Sequence, residues 1–295
     1  FNPNRVSQDL LRELRDRRRH RGGEQEGLAL RRELLQHPAH VVDEAHIEHP
    51  VRLVEDAGAL AASMRAEGLD AEQKTSISDV VTAADHAAEE LVTARLLSDR
   101  PDDGLLGEEG TQRDGTSGRR WVIDPVDGTY NFFSGLAYWC SAVALDDPEG
   151  TILGAVHQPI TGETWLGGRD HPTTLDGAPV PRLADRALDT CSLATYVHPS
   201  TLADPDVREV WLAIAGAVAT PRILGSGSCD LAGVAGGRIG VWAQHSAPEW
   251  DWLPGQALVR AAGGLAETVE HRGHTWHVAG NQQAAGELME RLTSA

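Results

Sequence analysis

The segment Trp121–Phe132, WVIDPVDGTYNF, restricts this chain more than any other stretch. Its apolar start, with Arg120 before it, reads as a strand that delivers Asp124 at its C-terminal end. Pro125 fixes a turn, Asp127 follows two residues on, and Gly128 allows a close backbone approach. Two carboxylates so near one another are costly unless something positive sits between them. Hard oxygen ligands on a tight turn suit Mg²⁺, which takes a few carboxylates, substrate phosphate oxygens and retained waters. Gly128–Thr129 would then open a short helix whose free N–H groups form an anion site.

Three further acidic clusters stand at element boundaries: Asp79–Asp85 (DVVTAAD), Gly107-Glu108-Glu109-Gly110, and Trp250–Asp251. Each has a plain reading of its own. Asp-Gly and Asp-Pro are common turn pairs, Glu-Glu is usually a solvated face, Asp85 suits a first helical turn, and Asp251 suits an N-cap before Trp252. Four such clusters in this order are hard to attribute to chance.

The surrounding pattern is mixed. Helical periodicity covers 50–66, 83–97, 207–217, 226–235, 252–262 and 281–293; strand-like runs lie at 79–82, 105–106, 120–123, 191–196, 239–242 and 276–279, with another near 223. Residues 138–168 hold three strand-like runs separated by turn residues, an antiparallel meander, and Asp176–Gly177 marks a further turn. Strands and helices alternating throughout imply a layered α/β or α+β sandwich and not a barrel. Residues 1–48 differ: two helical stretches, 5–20 and 25–36, are broken by Gly22–Gly23 and His37–Pro38, an N-terminal arm that depends on a partner surface. The catalytic domain is expected over 49–295, in halves of approximately 49–185 and 186–295.

A formal charge of −18 argues against nucleic acid as a partner, since phosphate backbones demand basic surface. Residues 1–50 carry nine arginines and nine acidic residues, so the excess negative charge lies beyond them, and Arg17–Arg19 read as a solvated face. Lys74 is the only lysine among 26 basic residues, which marks a place where a compact ammonium serves better than a guanidinium. Cys140, Cys191 and Cys229 are too widely spaced for a disulfide framework or a zinc pattern and read as buried thiols. The histidines at 157, 198, 245, 271, 274 and 277 are likewise too loosely spaced for zinc. With no long apolar run and no signal peptide, the expectation is a soluble, cytoplasmic protein that does not engage the membrane. The chain opens on Phe1 and not on methionine, which leaves room for residues upstream.

WVIDPVDGTYNFFSG (121–135) resembles the signature of the inositol monophosphatase family within the lithium-sensitive, Mg²⁺-dependent carbohydrate phosphatases. WDWLPGQALVRAAGG (250–264) is similar to its second signature, and Ile223–Trp242, Lys74, Asp79–Asp85 and Gly107–Glu109 fall in the family's order, so the resemblance covers roughly 50–293. It implies the αβαβα sandwich of that family, hydrolysis of a small polyol or sugar phosphate, a homodimer, lithium inhibition, and two or three Mg²⁺ per site. It implies that Glu108, Asp124 and the Val126 carbonyl hold one ion, and that Asp124, Asp127 and Asp251 hold the second. A third, weaker ion would sit by Glu108, near Lys74 and Asp85. Glu108 and Thr129, with Asp85 behind the threonine, would orient and deprotonate the attacking water. The Gly128 and Thr129 amides would receive the phosphate, Lys74, Gln244 and Asp251 would serve the substrate, and Asp251 would also help at the leaving oxygen. The five carboxylates sum to a formal charge of −5, which repels phosphate until metal ions reverse the sign.

The departures bear on substrate. Gln244 stands where inositol-selective members often place a glutamate, and Leu253–Pro254 replace a small-residue pair, with bulk expected to narrow the pocket mouth. Ala137 and Ala261 also depart from common family residues. Tyr130-Asn131-Phe132 leans toward polyol or sugar phosphates, because members acting on adenosine 3′,5′-bisphosphate or histidinol phosphate tend to have lysine after the threonine. Fructose-1,6-bisphosphate, histidinol phosphate and nucleotide 3′-phosphates are the alternatives, together with a regulatory binding role through the arm.

Overall fold

The computed structural model describes residues 44–67, 71–73 and 80–295, all within one compact unit, Val42–Ala295. The arm helices expected at 5–20 and 25–36, with Lys74 and Asp79, lie outside the described residues. The first elements are α1 (Glu44–Glu67), β1 (Ala71–Gln73), β2 (Val80–Thr82), α2 (Ala83–Asp99), β3 (Gly104–Gly107), β4 (Gln112–Arg113), β5 (Arg120–Asp127) and α3 (Thr129–Ser134). A run of strands follows: β6 (Cys140–Asp147), β7 (Gly150–Gln158), β8 (Glu163–Gly168), β9 (His171–Leu175) and β10 (Ala178–Pro179). The remainder is β11 (Ser192–Thr195), α4 (Pro205–Ala215), β12 (Thr220–Arg222), α5 (Gly227–Ala235), β13 (Val241–His245), α6 (Glu249–Ala261), β14 (Leu265–His271), β15 (His274–Gly280) and α7 (Gln282–Thr293).

Two sheets organise these elements. One has eight strands in the order β10-β9-β8-β7-β6-β5-β3-β4, and the other five in the order β12-β11-β13-β15-β14, with β1 and β2 forming a separate pair. In the large sheet β3 and β5 run parallel and the meander β5 through β9 is antiparallel. In the small sheet β11 is parallel to both β12 and β13, and β15 is antiparallel to β13 and β14.

Helices fill the spaces that the sheets leave apolar. Leu53, Val54 and Ala57 of α1, with Ala88, Val92 and Leu96 of α2, bury against Trp121, Ile123, Val143 and Ala155 on one face of the large sheet. Helices α5 and α6 lie between the sheets, where Leu231, Val234, Leu258 and Val259 meet Val156 and Trp165 from one side and Ala194, Trp242 and Ala279 from the other. Helices α4 and α7 cover the far face of the small sheet through Val207, Val210, Ile214, Leu288 and Leu292. The layering is therefore αβαβα, with the expected buried thiols at Cys140, Cys191 and Cys229. No described helix is long and apolar enough to cross a membrane.

Several boundaries differ from the sequence reading for local reasons. Pro50 sits inside α1 and does not start it, and Pro254 sits in the second turn of α6 and not the first. Strand β14 was not anticipated because its outward residues, Glu267, Thr268 and Glu270, leave few apolar positions in the run. The turn expected at Pro125 is a β-bulge: β5 continues to Asp127, and its pairing shifts between Asp124, opposite Ala142, and Asp127, opposite Cys140. Proline cannot donate to the ladder, so the strand accommodates it with one extra residue, as bulges near active sites do.

Candidate active site

The bulge brings Asp124 and Asp127 to the same cavity wall, where unbroken alternation would send residues three apart to opposite faces. Ser141 Oγ donates to the Pro125 carbonyl at 2.6 Å and stabilises the distortion. Immediately after, Gly128 takes φ 92°, a left-handed conformation that favours glycine, and a Cβ there would meet the Gly225 carbonyl at 3.0 Å. Helix α3 then begins, its first internal bond running from Phe132 N to the Gly128 carbonyl at 2.9 Å.

The other acidic residues arrive from separate elements. Asp85, in the first turn of α2, is fully buried and not a solvated first-turn acid; Thr129 Oγ1 lies 3.5 Å from its Oδ1 and donates to the Val126 carbonyl at 3.0 Å. Glu108 follows β3, its amide bonded to the Ile123 carbonyl at 3.2 Å, which ties that loop to β5. Asp251 lies in the first turn of α6, whose N-cap is Pro248, so capping does not account for it. Together Glu108, Asp124, Asp127, Gly128, Thr129, Gln244 and Asp251 line one cavity of about 440 Å³. One carboxylate oxygen from each of Asp124, Asp127 and Asp251 lies within 4.8 Å of the others, and among the described residues no histidine or cysteine joins them.

The electrostatics of this cluster are unfavourable as the chain alone presents them. Burial, then the charges of Glu108, Asp127, Asp251 and Asp85, push Asp124 well above the usual carboxylate range. Asp251 is pushed up by burial and by Asp127 and Glu108. Asp127 is raised by burial, against hydrogen bonds from Ser228, Ser226 and Gly227 that favour its ionised form. Both oxygens of Asp124 are buried without a hydrogen-bond partner. A buried carboxylate without donors is a costly arrangement, and three converging oxygens are a donor set that a divalent cation satisfies. The residues present therefore fit a metal ion.

Other residues that the sequence reading singled out do different work. Asn131 donates its amide to the Tyr138 and Leu224 carbonyls, both at 2.8 Å, and Phe132 is fully buried against Trp139, so this pair joins segments together. Leu253 and Pro254 do not line the cavity; a Cβ on Gly154 of β7 would stand 2.2 Å from the Pro254 carbonyl, so Pro254 faces the large sheet. Trp252 stacks on Trp242 with ring centroids 5.6 Å apart, which is packing.

Three features escaped sequence reading. Glu89 accepts the amides of Glu109 at 2.8 Å and Thr111 at 2.9 Å, and a Cβ on Gly107 would collide with its carboxylate, so Glu89 shapes the Glu108 loop. Asp230 accepts from Tyr138 Oη at 2.7 Å and is pushed up to about 8 by burial. Ser226 through Ser228 surround Asp127 with donors. Their only sequence signal is a Gly-Ser-Gly-Ser run ahead of an apolar helix, the pattern of an N-cap.

The model of the inositol monophosphatase family matches residues 43–295. The inositol-1-monophosphatase of Rhizobium meliloti is 35% identical over 225 residues, covering 72% of this chain and 82% of that protein. The histidinol-phosphatase of Mycobacterium tuberculosis is 33% identical over 224 residues, covering 72% of this chain and 85% of that protein. Among solved structures, the extragenic suppressor protein suhB from Bartonella henselae matches with a TM-score of 0.77 at 26% identity, covering 85% of this chain and 99% of that one.

Proposed function

We propose, on the premise that this chain belongs to the inositol monophosphatase family, that its acidic cavity hydrolyses inositol monophosphate or a related small polyol or sugar phosphate with Mg²⁺ as the ion. Family membership makes the protein a metal-dependent phosphomonoesterase. Asp124 carries the reading: a buried carboxylate with both oxygens unpartnered and two more carboxylates in reach has no structural purpose of its own.

In this assignment Asp124, Asp127, Asp251, Glu108 and the Val126 carbonyl hold two ions, and a third, weaker one sits by Glu108. When bound, Mg²⁺ supplies the positive charge a phosphate requires and lowers the pKa of water from about 15.7 toward neutrality. The Thr129 hydroxyl, within reach of both Val126 O and Asp85, orients the attacking water with Glu108 and passes its proton toward the Asp85 carboxylate. The amides of Gly128 and Thr129 precede the first internal bond of α3 and take the phosphate oxygens. Gln244, whose amide both donates and accepts, meets a substrate hydroxyl, and Asp251 serves the leaving oxygen.

The cavity lining also bears on substrate. Among the described residues it contains no lysine, arginine or histidine. Histidinol phosphate is the second reading, favoured by the relationship to a histidinol-phosphatase and by Glu109 in the cavity lining, which could face its ammonium group. Exposed Phe133 of α3 and Leu136 just after it support the homodimer, which light scattering would test.

A panel of inositol 1-phosphate, sugar monophosphates, histidinol phosphate and fructose-1,6-bisphosphate, scored by kcat/KM from phosphate release, tests the substrate. A polyol or sugar monophosphate is expected to lead. A lead for the bisphosphate would contradict the reading.

A further inference from the structure

Asp127 and Asp124 sit three residues apart on one bulged strand, yet only Asp127 is held. Ser226 Oγ donates to Asp127 Oδ2 at 2.9 Å, the Ser228 amide to the same oxygen at 2.5 Å, and the Gly227 amide to Oδ1 at 3.2 Å. Ser226 is at the same time the N-cap of α5, accepting the Cys229 amide at 3.2 Å. A hydroxyl has one proton. With its lone pair given to Cys229 N–H, that proton is left for Asp127, and an ionised carboxylate can only accept.

We propose that Ser226 is a positioning residue for Asp127: one hydroxyl caps α5 and aims this carboxylate, so that the metal site is completed by a helix of the layer between the sheets. The proposal rests on the reading of Asp127 as a metal ligand. The Asp127 oxygen that faces the two short donors is occupied, while Oδ1 carries only the longer bond and keeps lone pairs for an ion. Outer partners of this kind fix the orientation of metal-ligating carboxylates. Cys140 Sγ, 3.7 Å from Ser226 Oγ and 3.9 Å from Asp127, closes the far side with a group too weak to replace the hydroxyl.

The side-chain requirements are narrow. Threonine can both cap and donate. Glycine caps helices nearly as well as serine, within a few tenths of a kcal/mol, but has nothing to donate. Aspartate would cap and repel Asp127. Ser226→Gly therefore separates the donor from the cap.

The experiment is Mg²⁺ calorimetry on the metal-stripped full chain, with Tm in chelator for each variant. Ser226→Gly is expected to weaken Mg²⁺ binding roughly 10–100-fold, the range typical for an outer partner of a ligand, while Tm in chelator changes little. Ser226→Thr is expected to stay within about threefold of the unmodified protein, because it keeps the hydroxyl that the 10–100-fold effect depends on. Ser226→Ala is the second variant should the glycine protein fail to fold, with the same weakening expected. Unchanged affinity in a folded Gly or Ala variant overturns the proposal, as does a Thr variant as weak as they are. An unmodified protein that binds no Mg²⁺ overturns the reading of the metal site, and the proposal with it.

Discussion

Two cavities of similar size sit on this molecule, about 440 Å³ around Asp124 and about 460 Å³ around His157, and their polar groups are treated in opposite ways. In the second, Thr164 settles its neighbours: its hydroxyl bonds to Glu55 at 3.0 Å and His157 at 2.9 Å, and its amide donates to Asp176 at 2.9 Å. His171 Nδ1 is unpartnered there, but burial keeps the ring neutral, so the cost is that of a neutral nitrogen. In the first cavity carboxylates face one another and Asp124 has no partner. Cavity volume does not separate the two; satisfaction does. A polar cavity closed by its own hydrogen bonds is structure, and one left open on its charged side is built for something that arrives later.

The strongest way to break this comparison is Asp124→Asn. Turnover is expected to fall more than ~100-fold, beyond what loss of an outer partner costs. Stability should move the other way: in chelator the variant relieves repulsion, raising Tm by about 2–4 °C per kcal/mol relieved. A variant less stable than the parent in chelator would place Asp124 with the structural group. Next, Gly154→Ala drives a methyl against the Pro254 carbonyl of α6 from a strand that also carries His157. Overpacking of that kind costs about 1–3 kcal/mol in denaturant unfolding, and turnover should drop through Asp251.

The pH dependence of the metal-free protein sharpens the contrast further. Asp124, Asp127, Asp251 and Asp230 are all raised in the folded state, Asp230 to about 8. Their contribution to stability is full below the unfolded carboxylate value, about 3.9, and is lost as pH rises through the folded values. Tm in chelator should therefore decline between pH 4 and 8, and Mg²⁺ should flatten the decline. Asp103 runs opposite: although burial works against it, Ser117, Trp121 and Arg119 hold it below its usual range, so its stabilisation is lost only in acid. The smallest effect belongs to the second cavity. Glu55→Gln keeps an acceptor for Thr164 and should cost about 1 kcal/mol or less with turnover within twofold. A tenfold loss of turnover would end the division between the cavities.

Much of the site was legible because its residues stand in short, rule-bound contexts. The pair Asp124 and Asp127, the glycine after them and the short helix that follows were readable from composition and spacing, and so was the meander from β6 to β8. A layered α/β sandwich followed from alternating periodicities, and its αβαβα order from the family resemblance. What failed depends on distance in space. Pairing across β6 turns the expected Pro125 turn into a bulge. Leu253 and Pro254, close in sequence to Asp251, stay out of the cavity, and the Pro254 carbonyl lies against Gly154, because a helix sends nearby residues to different faces. Asn131, which in the sequence only marked a lean toward polyol or sugar phosphates, is a clamp on Leu224, 93 positions away. Glu89 and Ser226 act through partners 20 and 99 positions away, which no local pattern shows.

The central claim is that Asp124, buried with both oxygens unpartnered, and the carboxylates in reach of it exist to hold the ions that hydrolysis needs. Phosphate release from inositol 1-phosphate by metal-stripped protein, titrated with Mg²⁺, tests it directly. The account predicts no turnover in chelator and a saturable return as Mg²⁺ is added. Undiminished turnover in excess chelator would contradict it.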